Sequence, residues 1–326
     1  MKISPLFISM NTSTRSHDAY NTIVVSPFKL ENEFVYQQWR RRKLRDYPQE
    51  ASQLIVAIND PCHLSTKELD AILKLCRKSN MVIYSSEQCS DSKELVRKLG
   101  SQFGLHTLDQ NLYADDDGIS TLHVAPKGRR HEYIPYSNKP INWHTDGYYN
   151  PPEQKIQSMV LHCVSPASQG GENALLDHEI VYMLMREENP EYITAFTQPD
   201  AMTIPANIEN GREIRPEQSG PVFSVNSQTG DLHMRYTART RSIQWKQDAI
   251  TLAAVQFLED LLNSDTPYIF RYKLEPGQGV FCNNVLHNRS GFENDSKIGK
   301  ERMIFRARYY ERIAGTSLAE TSFINQ

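Results

Sequence analysis

From Ile119 to Tyr309 the chain breaks into short strand-like runs divided by turn-rich segments, and this rhythm restricts the fold more than any other feature. The runs are Ile119 to Val124, Ser158 to Val164, Val222 to Val225, Leu232 to Tyr236, Tyr268 to Leu274, Gly279 to Cys282 and Met303 to Tyr309. Apolar, β-branched runs of this length at this frequency predict a sandwich or barrel-like double sheet. Two helical inserts interrupt it. Asp177 to Arg186 places Ile180, Tyr182, Met183 and Met185 on a helical face, and Asp248 to Leu262 does the same with Ile250, Leu252, Val255, Phe257, Leu258 and Leu261. Pro199 to Pro221, rich in Pro, Gly, Asn and Glu, has no regular pattern. It is long for a passive connection and reads as a lid or substrate loop.

Upstream the pattern is α/β. A surface helix is expected over Glu31 to Tyr47 and a strand over Gln53 to Ile58. Ser65 with Glu68 forms a capping box before a helix carrying Leu69, Ile72, Leu73 and Leu75. Met81 to Tyr84 reads as a strand, and Asp91 and Glu94 cap a further helix with Leu95, Val96, Leu99 and Phe103. The expected class is α+β in one domain over 1–326: an N-terminal α/β supporting region over 1–118, a β core with helical inserts over 119–312 and a tail over 313–326.

Lys and Arg number 36 against 39 Asp and Glu, a net charge of −3, so no global field argues for nucleic acid or an anionic membrane as partner. The five cysteines are scattered and odd in number, which argues against a disulfide framework and for a reducing cytoplasm. The first 25 residues hold only short, interrupted apolar stretches, matching neither a signal peptide nor a membrane span. The basic residues cluster at Arg40 to Arg45, Lys127 to His131, Arg235 to Arg241 and Arg302 to Arg312.

The chemistry-bearing residues are Trp143-His144-Thr145-Asp146-Gly147 and, far downstream, His287 after a Gly-x-Gly turn and an apolar run. On a strand His144 and Asp146 would face one side. Two imidazoles and a carboxylate on one face of a divalent ion leave the other face open, the arrangement of non-heme Fe(II) oxygenases. Arg302, Arg306 and Arg308 also alternate along one strand face, costly in an interior unless an anion sits there. A dicarboxylic cosubstrate meets that need through bidentate guanidinium contacts.

With these residues in place the chain resembles the Fe(II)/2-oxoglutarate-dependent dioxygenases of the taurine dioxygenase (TauD/TfdA-like) superfamily, with the glutarate hydroxylases as another near relative. The resemblance spans roughly residues 92 to 312. It rests on Trp143 to Asp146, Gly170-Gly171-Glu172-Asn173, Pro221-Val222 to Met234-Arg235-Tyr236, Asn284 to His287 and Arg302 to Arg308. It implies a double-stranded β-helix (jelly-roll) core, with His144, Asp146 and His287 as iron ligands. Arg302 or Arg306 would hold the distal carboxylate of 2-oxoglutarate, and Arg306 or Arg308 a substrate acid. The family carries Thr where this chain has Asn173, whose amide can donate the same hydrogen bond. The reaction implied uses O2 and couples hydroxylation of a C–H bond to decarboxylation of 2-oxoglutarate to succinate and CO2. Retention of Asp146 favours hydroxylation over halogenation.

Tyr148, Arg235, Arg239 and Arg308 are candidate substrate contacts, with Arg129, Arg130 and His131 approaching from the preceding segment. They suit a small, negatively charged substrate: an amino acid, dicarboxylate, sulfonate or sugar acid such as 3-deoxy-manno-octulosonate. The last would imply peripheral contact with a membrane glycolipid. His162 with Cys163 reads as a core pair, whereas His178 and His233 stand near the pocket. Two other readings remain: a zinc hydrolase on the same ligands, or a non-catalytic metal-retaining sensor. Oligomeric state, homo-oligomers included, is open.

Overall fold

The structure, a computed structural model, describes residues 25–88, 91–110, 115–125, 133–239, 243–295 and 301–322. The expected contributions of 1–24 and of Arg129, Arg130, His131 and Arg241 lie outside these residues.

The N-terminal part alternates helices and strands: α1 (Glu33–Leu44), β1 (Ile55–Ala57), α2 (Thr66–Ser79), β2 (Met81–Ser85) and α3 (Lys93–Ser101). Both halves of the Ser65/Glu68 capping box are made, while α3 is capped by Ser92 rather than Asp91. Next come β3 (Ser120–Leu122), β4 (Ile141–His144), β5 (Ser158–Ser165), β6 (Gln169–Gly170) and β7 (Asn173–Leu176). Two helices follow, α4 (His178–Glu188), capped by Asp177, and α5 (Pro190–Phe196), which begins on a proline.

The 199–221 segment is not irregular. It folds into β8 (Met202–Ile204), β9 (Asn207–Glu209), β10 (Arg212–Arg215) and β11 (Gln218–Gly220). Its strands are only three or four residues long, too short to leave a period in a Pro- and Gly-rich sequence. Beyond it lie β12 (Phe223–Val225), β13 (Leu232–Met234), β14 (Gln244–Trp245), α6 (Ala249–Leu262), β15 (Phe270–Tyr272), β16 (Gln278–Cys282), β17 (Leu286–Arg289), β18 (Phe292–Glu293), β19 (Met303–Tyr309) and α7 (Leu318–Ser322).

Six strands join in the order β1-β2-β16-β5-β19-β3, and four in the order β15-β7-β17-β4. The N-terminal strands β1 and β2 are thus part of the larger sheet. One apolar core cluster unites Met159, Leu161, Val280 and Ile304 of the larger sheet with Leu175, Leu176 and Leu286 of the smaller. A second lies on the reverse of the larger sheet, where Val160, Phe281, Phe305 and Ala307 pack against Ile72, Leu95 and Leu99 of the helices. Alternation along β19 sends Ile304 to the first cluster and Phe305 and Ala307 to the second, so Arg306 and Arg308 share the inter-sheet side with Ile304. His162 is fully buried, hydrogen-bonded to Tyr84 and stacked between Tyr84 and Phe305, a core residue as its sequence context suggests.

Candidate metal centre

Register places the first two candidate ligands together. β17 runs antiparallel to β4 with His287 directly opposite His144, and their ring centroids lie 4.2 Å apart. Asp146 arrives differently from the sequence expectation. β4 ends at His144, so Asp146 does not share its face by strand alternation but stands in the turn that follows. Asn284, itself in the left-handed region at φ 46°, holds that turn. Its Oδ1 accepts from the Asp146 N–H at 2.8 Å, while its Nδ2 donates to the carbonyls of Asp146 and Ile156 at 2.9 and 2.8 Å. Gly147 completes the turn at φ 68°, where a Cβ would lie 2.4 Å from the Ile156 side chain.

One ligand atom from each of His144, Asp146 and His287 fits within 4.8 Å of the others. The His144 Nδ1 lies 2.9 Å from the Asn142 carbonyl and the His287 Nδ1 3.0 Å from the Val285 carbonyl. A carbonyl can only accept, so each Nδ1 carries the proton and each Nε2 presents a lone pair. Burial, and then the neighbouring His287, lower the His144 pKa to about 3, and burial lowers that of His287 as well. Both rings are therefore neutral near pH 7. For Asp146 burial opposes ionisation, but the charges of Arg306 and then Arg308 act against it, and the carboxyl is held below its ordinary range. Its Oδ2 is buried without a hydrogen-bond partner. Two neutral Nε2 lone pairs beside an ionised, unpartnered carboxylate oxygen fit a divalent transition-metal ion.

The arginines divide by partner. Arg308 binds Asp109, an acid the sequence reading did not identify, and donates to the Tyr149 hydroxyl at 3.0 Å. Tyr310 and Asn150 in turn bind Asp109 at 2.8 and 3.2 Å. Arg308 therefore already has its anion within the protein, which removes the charge argument for giving it a substrate acid. Arg306 lies 3.3 Å from Asp146 Oδ1. Arg302, just before β19, is 5% exposed and makes no ion pair among the described residues. Its guanidinium sits 5.2 Å from the Phe292 ring centroid, and burial lowers its pKa to about 10. With Asn173, Gly171, Ile304 and Lys273 it borders a void of about 10 Å³, about the room one water occupies. The preceding Gly170 is required, since a Cβ at its φ of 66° would lie 2.2 Å from the Gly291 carbonyl.

Among the candidate substrate contacts, Tyr148 packs edge-on to His144 at 6.5 Å, and its hydroxyl lies beside Thr237 and Arg239. Arg235 is spent elsewhere: its guanidinium donates to the carbonyls of Met202, Gln218 and Gly220, tying β8 to β11. His178 and His233 are engaged with the carbonyls of Leu232 and Ile156. A cavity of about 500 Å³ includes none of the three candidate residues and is built on Trp143, Ala174 and Asn288, and on Tyr236 and Leu262. Among the described residues no other group of three His, Cys, Asp or Glu could hold an ion.

The profile of the taurine catabolism dioxygenase TauD, TfdA family matches residues 41–308. A uridine-5'-phosphate dioxygenase of Amycolatopsis sp is 31% identical over 174 residues, covering 52% of this chain and 60% of that protein. The human gamma-butyrobetaine dioxygenase is 23% identical over 225 residues, 65% of this chain and 53% of that one. The chain thus spans only about half to three fifths of these two relatives' lengths. Among solved structures, the non-heme iron oxygenase OrfP in complex with Fe and alpha-ketoglutaric acid superposes with a TM-score of 0.55 at 16% identity, covering 82% of this chain and 83% of that one. Asparagine oxygenase in complex with Fe(II), 2S,3S-3-hydroxyasparagine and succinate gives 0.52 at 13% identity, over 75% and 84%. At these identities the two structures establish likeness of fold.

Proposed function

The chain belongs to the taurine catabolism dioxygenase TauD, TfdA family, and from that premise we propose that it is an Fe(II)- and 2-oxoglutarate-dependent hydroxylase of a small anionic molecule. The observation that carries the reading is the set of neutral His144 and His287 imidazoles, their Nδ1 atoms occupied, facing a buried Asp146 oxygen without a partner. The facing six- and four-stranded sheets then form a double-stranded β-helix core, and the chain works as a single dioxygenase domain in the cytoplasm.

His144, Asp146 and His287 would hold Fe(II), which with bound 2-oxoglutarate supplies the O2-dependent oxidation of an unactivated C–H bond while the cosubstrate leaves as succinate and CO2. The protein's own residues bind, orient and exclude water. Arg302, which has no acid among the described residues, takes the distal carboxylate of 2-oxoglutarate, with the Asn173 amide donating beside it. A buried guanidinium lacking a counter-ion is destabilised, and an incoming carboxylate relieves that cost. Arg306 keeps Asp146 ionised. Tyr148 walls the site next to His144, and Arg239 faces the substrate. An anionic substrate accords with the relative named for uridine-5'-phosphate. The zinc-hydrolase alternative has no use for Arg302, because hydrolysis needs no dicarboxylate.

The test is succinate formation under air with Fe(II), 2-oxoglutarate and ascorbate across an anionic-substrate panel, for wild type and His144→Ala. Turnover that requires Fe(II) and disappears in His144→Ala is expected. Metal-independent turnover, or none with no 2-oxoglutarate-dependent charge-transfer band in anaerobic protein, would sink the reading.

A further inference from the structure

The 199–221 segment brings a cation to Tyr149, whose ring meets that of Tyr148 beside His144. Arg215 ends β10, the second strand of a hairpin with β9. Its guanidinium lies 5.7 Å from the Tyr149 ring centroid, and it donates to the carbonyls of Pro205 and Pro216 at 2.6 and 2.7 Å. A guanidinium carries five N–H donors, so donors remain. The hairpin emerges between β8 and β11, the strands that Arg235 ties together, so Arg215 is carried on a braced flap.

Arg239 approaches from the segment that follows β13. Thr237 bridges His144 backbone to backbone, and two residues further on Arg239 lies beside the Tyr148 hydroxyl. Tyr148 and Tyr149 meet edge to face at 5.0 Å. Two guanidiniums from two separate segments therefore stand beside one aromatic pair adjoining His144. Among the described residues neither forms an ion pair, unlike Arg306, Arg308 and Arg312, which each have an acid. Burial works against the charge of Arg215, and the groups that counter it are the hydroxyls of Tyr148, Tyr149 and Tyr133, with no carboxylate among them.

We propose that Arg215 and Arg239 form a two-sided clamp over the Tyr148 and Tyr149 pair that takes a phosphate monoester of the substrate, holding it at the mouth while the carbon to be oxidised reaches the metal-binding residues. The inference rests on the hydroxylase reading above and adds the anion and its holders. Charge selects the group. A carboxylate neutralises one guanidinium and can be gripped by a single fork, whereas a phosphate monoester carries close to two negative charges and three acceptor oxygens for two separate forks. The Tyr148 ring supplies a flat apolar surface between clamp and metal ligands, suited to the body of such a substrate.

Phenyl phosphate, benzoate and phenol are titrated calorimetrically into the full chain, both metal-free and loaded with Co(II) and 2-oxoglutarate. Phenyl phosphate is expected to bind at least about 10-fold more tightly than benzoate or phenol, and less tightly as salt is raised. Arg215→Gln and Arg239→Gln should each weaken it by about 10-fold or more, with Arg215→Lys and Arg239→Lys restoring part of the loss. Wild-type affinity in both Gln variants, or benzoate binding equal to phenyl phosphate, overturns the clamp. So does a loss that comes with a lowered melting temperature and is not restored by Lys. Failure of the wild type to bind Co(II) or 2-oxoglutarate would instead strike the hydroxylase reading, and the metal-free titration would still decide the clamp.

Discussion

Asn284 holds Asp146 by both backbone polar groups, accepting from its N–H at 2.8 Å and donating to its carbonyl at 2.9 Å. The candidate metal carboxylate is thus oriented by an amide 138 positions away in sequence, through its main chain. Outer hydrogen bonds of this kind typically change metal affinity 10- to 100-fold when lost. Asn284→Ala is expected to weaken Co(II) binding by about that range and to lower stability by roughly 1–3 kcal/mol, because three buried partners lose their bonds and a left-handed residue loses its Asn. Anaerobic Co(II) titration with urea unfolding checks both; a variant that binds Co(II) like wild type removes the positioning role from Asn284.

The buried Arg308 and Asp109 pair yields a second expectation. Removing one partner of such a pair costs on the order of 3–5 kcal/mol, since the other charge is left buried. Asp109→Asn should therefore unfold at markedly lower urea. Arg308 already stands 3.8 Å from Asp146 Oδ1, so losing Asp109 should draw it to that oxygen and also weaken Co(II) binding. Loss of stability with unchanged metal affinity would show that Arg308 stays in place without its acid.

Legibility followed the range of the interactions. Alternation along β19 is local, so its bounds and the common side of Arg306 and Arg308 were readable from spacing. The partner of Arg308 is 199 positions away, and no local pattern announces it. The sequence argument for an anion among the three arginines was sound in kind, yet two of the anions proved to be Asp109 and Asp146. The His144 and Asp146 spacing suggested a strand; a turn fixed by Gly147 and Asn284 does the work instead. Pro199 to Pro221 hid four short strands because three-residue pairings take their order from partners across the sheet.

Away from the site, Lys43 is buried between Asp177 and Glu179 at 2.6 and 2.5 Å, with Asn80 and Tyr47 also binding Asp177. Burial raises the Asp177 pKa, but Lys43, His178 and the hydrogen bonds outweigh it and leave it lowered. A carboxyl depressed by folding contributes stability above its unfolded pKa of about 3.9, and that contribution is lost as pH falls through the folded value. Urea midpoints of the wild type should thus hold from neutral pH downward and drop below about pH 4. Lys43→Met should cost on the order of 3–5 kcal/mol at pH 7, and its gap to wild type should narrow in acid. A gap independent of pH would show that packing, not the ion cluster, accounts for the loss.

Arg302 and Arg306 can be separated because their surroundings differ. Among the described residues Arg302 has no acid and stands beside Asn173, whereas Arg306 lies against Asp146. Arg302→Gln should leave Co(II) affinity near wild type and raise the 2-oxoglutarate concentration for half-saturation on the order of 100-fold, the effect of about 3 kcal/mol from truncating a buried charge-paired contact. Arg306→Gln should instead act on the metal. With its nearest cation gone, burial raises the Asp146 pKa, so Co(II) affinity falls and the fall steepens as pH is lowered. Asn173→Ala should reproduce the Arg302 effect in weaker form, since a neutral donor contributes less than a guanidinium. Spectroscopic titration of the anaerobic Co(II) protein with 2-oxoglutarate reads both constants from one sample. If Arg306→Gln raises the 2-oxoglutarate requirement while Arg302→Gln does not, the cosubstrate anchor moves along β19 to Arg306, and Arg302 becomes a packing residue against Phe292.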